Sequence, residues 1–369
     1  MADWLSVLAR KAYLRSRAGL RRSARPRSLT AIDLAGNDYL GLSRHPLVLA
    51  AAARALADYG LGATGSRLVR GTTDVHSRLE SGLAAHMGTP TALVYSSGYL
   101  ANLGAVRALA SLSPNTVLAA DAHVHASLVD GCRLAGVTTV YYEHASVSSL
   151  RSVVSAHPGR RLVVITESVF SVDGDVAPLL DLHAVCRESG AILLVDDAHG
   201  LGVVPLAEGL AGADDVVITA TLSKALGGAG GVVAGPAEFI DHLVDTGRTF
   251  IYDTALPPAV AAGVEAALSL VTPALSREVL DRASAAYRRL AAAGLPVRPP
   301  AGGILSVQAP SADAAVAWTD RLRTHAVAVG CFRPPSTPDP VSRLRLTVNA
   351  GVDRAAFDEA VVKIVETAP

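Results

Sequence analysis

Lysine is almost missing from this chain. Of its 33 basic residues only Lys11, Lys224 and Lys363 are lysines, so nearly every cationic role has gone to arginine. Arginine cannot serve where a neutral amine must act, because a guanidinium stays protonated. Cysteine is equally scarce. Cys132, Cys186 and Cys331 are odd in number, far apart and form no C-x-x-C. That excludes a disulfide framework and reads as free thiols in a reducing compartment. Neither sign of charge is in excess, with 33 acidic residues against 33 basic, which argues against nucleic acid or an anionic membrane as partner. No long uncharged apolar run is present. The longest candidate, Thr89 to Val106, is interrupted by Pro90, serines, glycines and Asn102, so no bilayer span is expected. Aromatic residues make up only 4%, while half of the chain is hydrophobic and dominated by alanine and valine. That composition suits an α/β protein with a buried parallel sheet.

The length of 369 residues allows one large domain with a smaller one attached. Near the start, Trp4, Leu5, Leu8, Ala12 and Leu20 recur at helical spacing among basic residues up to about Arg22. An arginine-rich, acid-poor start resembles a transit peptide. The core pattern begins soon after, at Ile32, which favours a docking helix of the mature protein, a second subunit being one surface it could dock on. The expected compartment is the cytoplasm. A short strand at Ile32–Leu34 leads into turn residues around Asn37 and Asp38, then a helix from Leu47 to Tyr59 started by Pro46. Gly60 to Thr73 carries four glycines and reads as a loop whose backbone can approach a ligand. The next helix spans Asp74 to Met87 with Asp74 as its cap.

From residue 92 to 235 strands alternate with helices, which predicts β-α-β units and a mostly parallel sheet. The expected strands are Ala92–Tyr95, Val117–Ala120, Leu162–Thr166, Ala191–Val195, Val216–Ala220 and Gly231–Ala234. Ligands bind at the carboxyl edge of such sheets, so the residues just past each strand matter most. Ser97-Gly98-Tyr99 opens a helix and forms an ordinary turn or a phosphate site. Asp121 to Ser127 carries His123 and His125, which read as structural histidines or, with no third ligand nearby, an incomplete metal pair. Glu167, Ser171 and Asp173 come after the next strand. A fully apolar strand then runs into Asp196-Asp197-Ala198-His199, and a carboxylate at that mouth needs a cationic partner. Thr221-Leu222-Ser223-Lys224 ends the last of these strands, the only lysine inside an apolar, glycine-flanked segment. It is either a surface lysine on a loop or a Schiff-base lysine, and the other strand ends decide between them. After Pro257-Pro258 comes a long alanine-rich helix. From about Pro273 the order becomes helix, strand, helix, strand, helix, with strands at Ile304–Gln308, Ala326–Gly330 and Arg343–Val348.

Together the strand ends assemble one site: a phosphate cradle, a histidine at 125, an Asp-x-x-His and a Thr-x-x-Lys. Pyridoxal 5′-phosphate (PLP) requires those parts. A hydrolase would need a G-x-S-x-G elbow, which is absent. An inactive support subunit could dispense with Lys224, Asp196 and His199, and all three are present.

The stretches N-D-Y-L-G-L, G-S-R-L-V-R-G, H-A-S-L, E-S-V-F-S-V-D-G-D, V-D-D-A-H-G, T-L-S-K-A-L-G-G, I-Y-D-T-A-L-P-P and R-L-R-L-T resemble the α-oxoamine synthase family of fold-type I PLP enzymes, nearly end to end. The resemblance implies an aspartate aminotransferase-like α/β fold: a mostly parallel central sheet with helices on both faces and a smaller α+β C-terminal domain. Expected boundaries are an N-terminal helix and arm at 1–45, a PLP-binding domain at 46–258, and a linking helix with the small domain at 259–369. It implies that Lys224 forms the Schiff base and takes the Cα proton. Asp196 would pair with the ring nitrogen, His199 with the phenolic oxygen, and His125 would stack on the ring. Ser97, Gly98, Tyr99 and Thr221 would hold the phosphate. Arg345 would bind the amino-acid carboxylate, with Arg333 and Arg21 near the substrates and Asn37, Glu167 and Ser171 lining the pocket. Tyr252 and Thr254 would reach a neighbouring subunit's site in a homodimer. G-S-R-L and F-R-P-P are most similar to members joining L-alanine to pimeloyl-CoA, or a pimeloyl carrier thioester, in biotin biosynthesis. The same chemistry with glycine and acetyl- or succinyl-CoA, or with serine and a long-chain acyl-CoA, is the alternative. Two departures stand out: Leu222-Ser223 before the lysine, where the family usually has a glycine, and Tyr99 in place of phenylalanine.

Overall fold

Six of the seven strands of the main sheet send alternate side chains into two separate apolar clusters, which is the signature of a sheet covered on both faces. Val117, Val164, Leu193, Val195 and Ile218 belong to one cluster. Their neighbours Leu118, Val163, Ile165, Leu194 and Val217 belong to the other. The computed structural model describes residues 3–17, 20–22 and 24–369. Its strands are β1 (Ile32–Leu34), β2 (Thr91–Tyr95), β3 (Thr116–Asp121), β4 (Thr138–Tyr142), β5 (Arg161–Glu167), β6 (Ile192–Asp196), β7 (Val216–Thr221), β8 (Gly231–Gly235), β9 (Ile304–Gln308), β10 (Val327–Phe332) and β11 (Arg343–Thr347).

Seven of them form one sheet in the order β2-β8-β7-β6-β5-β3-β4. All neighbours are parallel except at β8, which runs antiparallel to both β2 and β7. The other four form a smaller sheet, β1-β10-β11-β9. There β1 pairs in parallel with β10, so the N-terminal arm supplies an edge to a sheet otherwise built from the end of the chain. The apolar seam is continuous between the two sheets. Trp318, Leu344 and Ile364 lie in the same cluster as Leu193 and Ile218.

β4 is not anticipated by the sequence pattern. It is an edge strand with only Tyr142 fully buried, so no apolar run marks it. Asp74 opens its helix but does not cap it. Thr73 holds the cap position, and His76 Nδ1 accepts the Thr73 N–H at 3.2 Å. The N-terminal helix spans Trp4–Arg17 rather than reaching Arg22, and none of its residues is buried by this chain. No single described helix is long and apolar enough to cross a membrane. Cys132 and Cys186 are buried free thiols, which burial pushes up to about 11 and about 12.

The apolar character of the parallel strands stops at one edge. β3, β5, β6 and β7 end in Asp121, Glu167, Asp196 and Thr221, all buried. The register places Glu167 beside Asp196 and Asp196 beside Thr219. His144 ties this edge together, with Nδ1 3.0 Å from Asp121 and Nε2 2.7 Å from Asp175. After β7 the chain turns sharply at Gly227, whose N–H reaches the Lys224 carbonyl at 2.9 Å. Gly227 has φ +65°, and a Cβ there would collide with the backbone of Leu42 and Ser43. Left-handed backbone costs a side-chain-bearing residue about 1–2 kcal/mol, and here backbone also blocks the Cβ. Gly227→Ala is therefore expected to lower unfolding free energy by at least about 2 kcal/mol in urea denaturation, and an unchanged midpoint would contradict it.

Candidate active site

The helix Gly98–Ser111 begins where β7 ends. Ser97 caps it, its Oγ accepting the Leu100 N–H at 3.2 Å. A Cβ at Gly98 would stand 2.9 Å from the Thr221 Cβ, so only glycine lets the two backbones approach this closely. The first N–H groups of the helix, those of Gly98 and Tyr99, have no partner within it, and the helix start packs against Thr221. Thr221 Oγ1 donates to the Gly230 carbonyl at 3.1 Å and contacts Ser223 Oγ at 2.8 Å. The Tyr99 side chain does not join this cradle. It is 43% exposed, and its hydroxyl donates to Asp130 at 2.5 Å, so only its backbone remains at the cradle.

One strand along, Asp196 is 4% exposed. Its Oδ1 accepts the Ala198 N–H at 3.0 Å and its Oδ2 accepts from Asn102 Nδ2 at 2.7 Å. Asp197 turns the other way and accepts from Ser168 Oγ at 2.5 Å. Burial pushes Asp197 up to about 8, against the pull of that hydroxyl. Glu167 accepts the His125 N–H at 2.6 Å and is pushed well up by burial and by the Asp196 charge. Lys224 is drawn down to about 8 by its burial, with Asp196 and Glu167 opposing the drop. The lysine is thus a readily available neutral amine beside carboxylates.

Two histidines flank this centre as neutral rings. His199 is driven well below its ordinary value by burial, then by Lys224 and Arg345. Its Nδ1 lies 2.6 Å from the Tyr39 hydroxyl. Burial pushes the Tyr39 phenol up, so it keeps its proton, and the same hydroxyl lies 3.4 Å from Asn37 Oδ1. With the Tyr39 proton shared with Nδ1, the His199 proton would sit on Nε2, where it can be donated to an oxygen. His125 is lowered chiefly by burial, and Ser127 Oγ lies 2.7 Å from its Nδ1. His123, the other member of the sequence pair, leaves this centre and stacks on His144 at 3.9 Å.

Arg345 closes the far side at 5% exposure. It donates to the Ser171 carbonyl at 2.6 Å and to Asn37 Oδ1, and its guanidinium stacks 4.8 Å over Phe332. Its Nε finds no acceptor among the described residues. A buried cationic donor without a partner is costly, so this atom suits an incoming anion.

The structure thus gathers Lys224, Asp196, His199, His125, Glu167, Ser171, Asn37 and Arg345 in one place, beside the cradle of Ser97, Gly98 and Thr221. It leaves the other expected residues outside. Arg21 and Arg333 line an open groove of about 530 Å³ with Arg22, Arg25 and Arg323. Tyr252 is 72% exposed, and Thr254 pairs with Ser66 of the glycine loop on the surface. Tyr39 and Asn102 are site residues that no motif singles out. Tyr39 sits inside N-D-Y-L-G-L, but nothing in its sequence position marks a bond to a residue 160 positions away.

These features fit PLP: a backbone cradle only glycine permits, an amine drawn down to about 8, and a neutral imidazole beside a buried carboxylate. They also set a pH response. An amine that ionises near 8 captures an aldehyde faster as pH rises through that value. Aldehyde capture at Lys224, mapped by mass spectrometry after borohydride trapping, is expected to climb from about pH 7 to about pH 9 and then level off. Lys363, held up by Glu366, should react only in more alkaline solution. Equal onset at both lysines would contradict the assignment.

Known proteins resemble this chain over nearly its whole length. The model for aminotransferase class I and II matches residues 30–364. Curated proteins named 8-amino-7-oxononanoate synthase are similar over nearly the whole chain. That of Mycobacterium sp. (strain JLS) is 47% identical over 97% of this chain and 94% of its own length. That of Mycolicibacterium smegmatis is 48% identical over 95% and 92%. Among solved structures, a serine palmitoyltransferase from S. paucimobilis with a bound PLP-myriocin aldimine superposes with TM-score 0.90 at 28% identity, covering 99% of this chain and 98% of that one. An 8-amino-7-oxononanoate synthase from Francisella tularensis gives 0.75 at 26% identity over 92% and 98%. With a family model spanning residues 30–364, most of its length, this chain belongs to the aminotransferase class I and II family.

Proposed function

We propose that this protein joins L-alanine to a pimeloyl thioester, releasing CO2 and CoA (or the thiol carrier) and giving 8-amino-7-oxononanoate for biotin. It is a PLP-dependent acyltransferase acting on small molecules. The observation that carries the chemistry is Lys224, an amine held near neutrality beside Asp196 and Glu167. The choice of substrates rests on the names of relatives 47% identical over 97% of this chain.

When bound, PLP supplies a carbonyl for the substrate amine and a ring that withdraws electrons from the reacting carbon. In this reading the protein's own groups divide the remaining work. Gly98 and Tyr99 N–H and the Thr221 end of β7 hold the phosphate. Asp196 faces the ring nitrogen, where a carboxylate favours the protonated ring. His199 offers Nε2–H to the ring oxygen, and His125 covers one face. Arg345 binds the alanine carboxylate through its free Nε and adjacent guanidinium nitrogens. Lys224 takes and returns the proton at the alanine Cα, a task that needs its depressed pKa. The arm at 1–45, the domain at 46–258 and the segment at 259–369 meet at this site, through Asn37, the strand ends and Arg345 respectively. We place the reaction in the cytoplasm, where the three thiols stay reduced.

One observation favours a second reading: serine palmitoyltransferase superposes more closely than the Francisella enzyme, 0.90 against 0.75. Sequence identity runs the other way, 28% against 47% for the curated relatives. Thiol release over a grid of alanine, glycine and serine against pimeloyl-, succinyl-, acetyl- and palmitoyl-CoA decides between them. The alanine–pimeloyl pair is expected to dominate, and Lys224→Ala to abolish it without unfolding the chain. Serine with palmitoyl-CoA leading the grid would overturn the substrate assignment.

We also assign the chain as a homodimer with shared sites. Leu61 is 86% exposed, Val69 85% and Tyr252 72%, all on the glycine loop or the segment paired with it. Exposed apolar residues gathered on one surface mark an interface. Sedimentation of Val69→Asp is expected to show monomer where the unmodified chain sediments as dimer. A monomeric unmodified chain would sink this assignment.

A further inference from the structure

One buried polar side chain has no place in that division of work. Asn102 is 4% exposed on the helix Gly98–Ser111, among Ala101, Ala105, Val106 and Leu109. A polar amide is tolerated there only if it is hydrogen-bonded. Every bond it makes leads to the site. Nδ2 donates to Asp196 Oδ2 at 2.7 Å and to Ser127 Oγ at 2.8 Å. Oδ1 accepts from Thr219 Oγ1 at 2.5 Å.

The directions of these bonds have a consequence. Both amide protons are spent as donors, so Ser127 Oγ is an acceptor toward Asn102. The single Ser127 hydroxyl proton is then free to point at His125 Nδ1, 2.7 Å away, which also receives the Ser127 N–H at 3.3 Å. Nδ1 is thereby the unprotonated nitrogen, and the proton of the neutral ring lies on Nε2. The other amide proton holds Oδ2 of Asp196 on the helix side while Ala198 N–H holds Oδ1, so the carboxylate cannot rotate.

We propose that Asn102 is a positioning residue that locks Asp196 in its orientation and His125 in its Nε2–H tautomer. It lies one turn into the helix whose N-terminus forms the phosphate cradle, on the same face as Gly98. One rigid helix therefore sets the spacing between the phosphate end and the ring-nitrogen end of the cofactor. This inference rests on Asp196 facing the ring nitrogen.

The test compares PLP dissociation constants, from absorbance titration, for the unmodified chain, Asn102→Ser, Asn102→Asp and Asp196→Asn, with circular dichroism to confirm folding. Asn102→Ser is expected to weaken PLP binding about tenfold or more, the scale of losing one hydrogen bond to a charged group. Asn102→Asp keeps the side-chain volume and so remains informative if the serine variant unfolds. While protonated, its new carboxyl can still donate to Asp196; once ionised it repels it. Affinity of that variant should therefore fall as pH rises from about 5 to about 8, over a range where the unmodified chain changes less. Unmodified affinity and an unmodified pH profile in a folded Asn102 variant, even with a lowered melting temperature, would reduce Asn102 to packing and overturn the proposal. Asp196→Asn separates the two readings. If it binds PLP like the unmodified chain, the ring-nitrogen assignment fails; if it binds weakly while the Asn102 variants do not, only the positioning role fails.

Discussion

Crowding ionisable groups at the end of a buried sheet is the constraint on which the rest of this structure depends. Glu167 and Asp196 are register partners on adjacent strands, Asp197 comes directly after, and Lys224 lies within electrostatic reach of all three. Charges so close in a poorly solvated place cannot all persist. Burial raises Glu167 and Asp197 and lowers Lys224, so part of the repulsion is relieved by protons rather than by distance. The same desolvation that makes this arrangement costly makes the lysine a usable base.

That crowding needs rigid support, and the two faces of the sheet provide it. On one face the helix Gly98–Ser111 presents alanines at 101, 105 and 108, small enough to let it sit close against the strands. Its start reaches Thr221 and its second turn reaches Asp196. On the other side the arm contributes Tyr39 and Asn37, which hold His199 and Arg345. The candidate site is thus assembled from both ends of the chain as well as its middle. This explains why β1 is committed to a sheet otherwise made of C-terminal strands.

Much of this is legible without coordinates where a strong local pattern exists. β5, β6 and β7 are apolar runs that end abruptly in Glu167, Asp196 and Thr221, and a buried strand ending in a polar residue points to a sheet edge. The edge strand β4 leaves no such trace because Thr138 to Tyr142 carries no apolar run, and β8, although expected as a strand, keeps its antiparallel direction hidden because direction leaves no local mark. The sequence pattern puts the cap at Asp74, one residue past its true place at Thr73. Thr and Asp are both good caps, and only the fold shows which one His76 faces.

Residue types and their order along the chain settled the family and the cofactor and singled out one candidate lysine, because those depend on chemistry that few side chains can perform. A neutral amine in a chain of arginines leaves one candidate. Tertiary structure alone decided which groups orient the reacting ones. Tyr39 meets His199 across 160 residues and Asn102 meets Asp196 across 94. It also decided that the Tyr99 hydroxyl turns to Asp130, away from the cradle its backbone helps to form. Hydrogen-bond partners of this kind are fixed by where distant elements pack, and no local pattern encodes that distance.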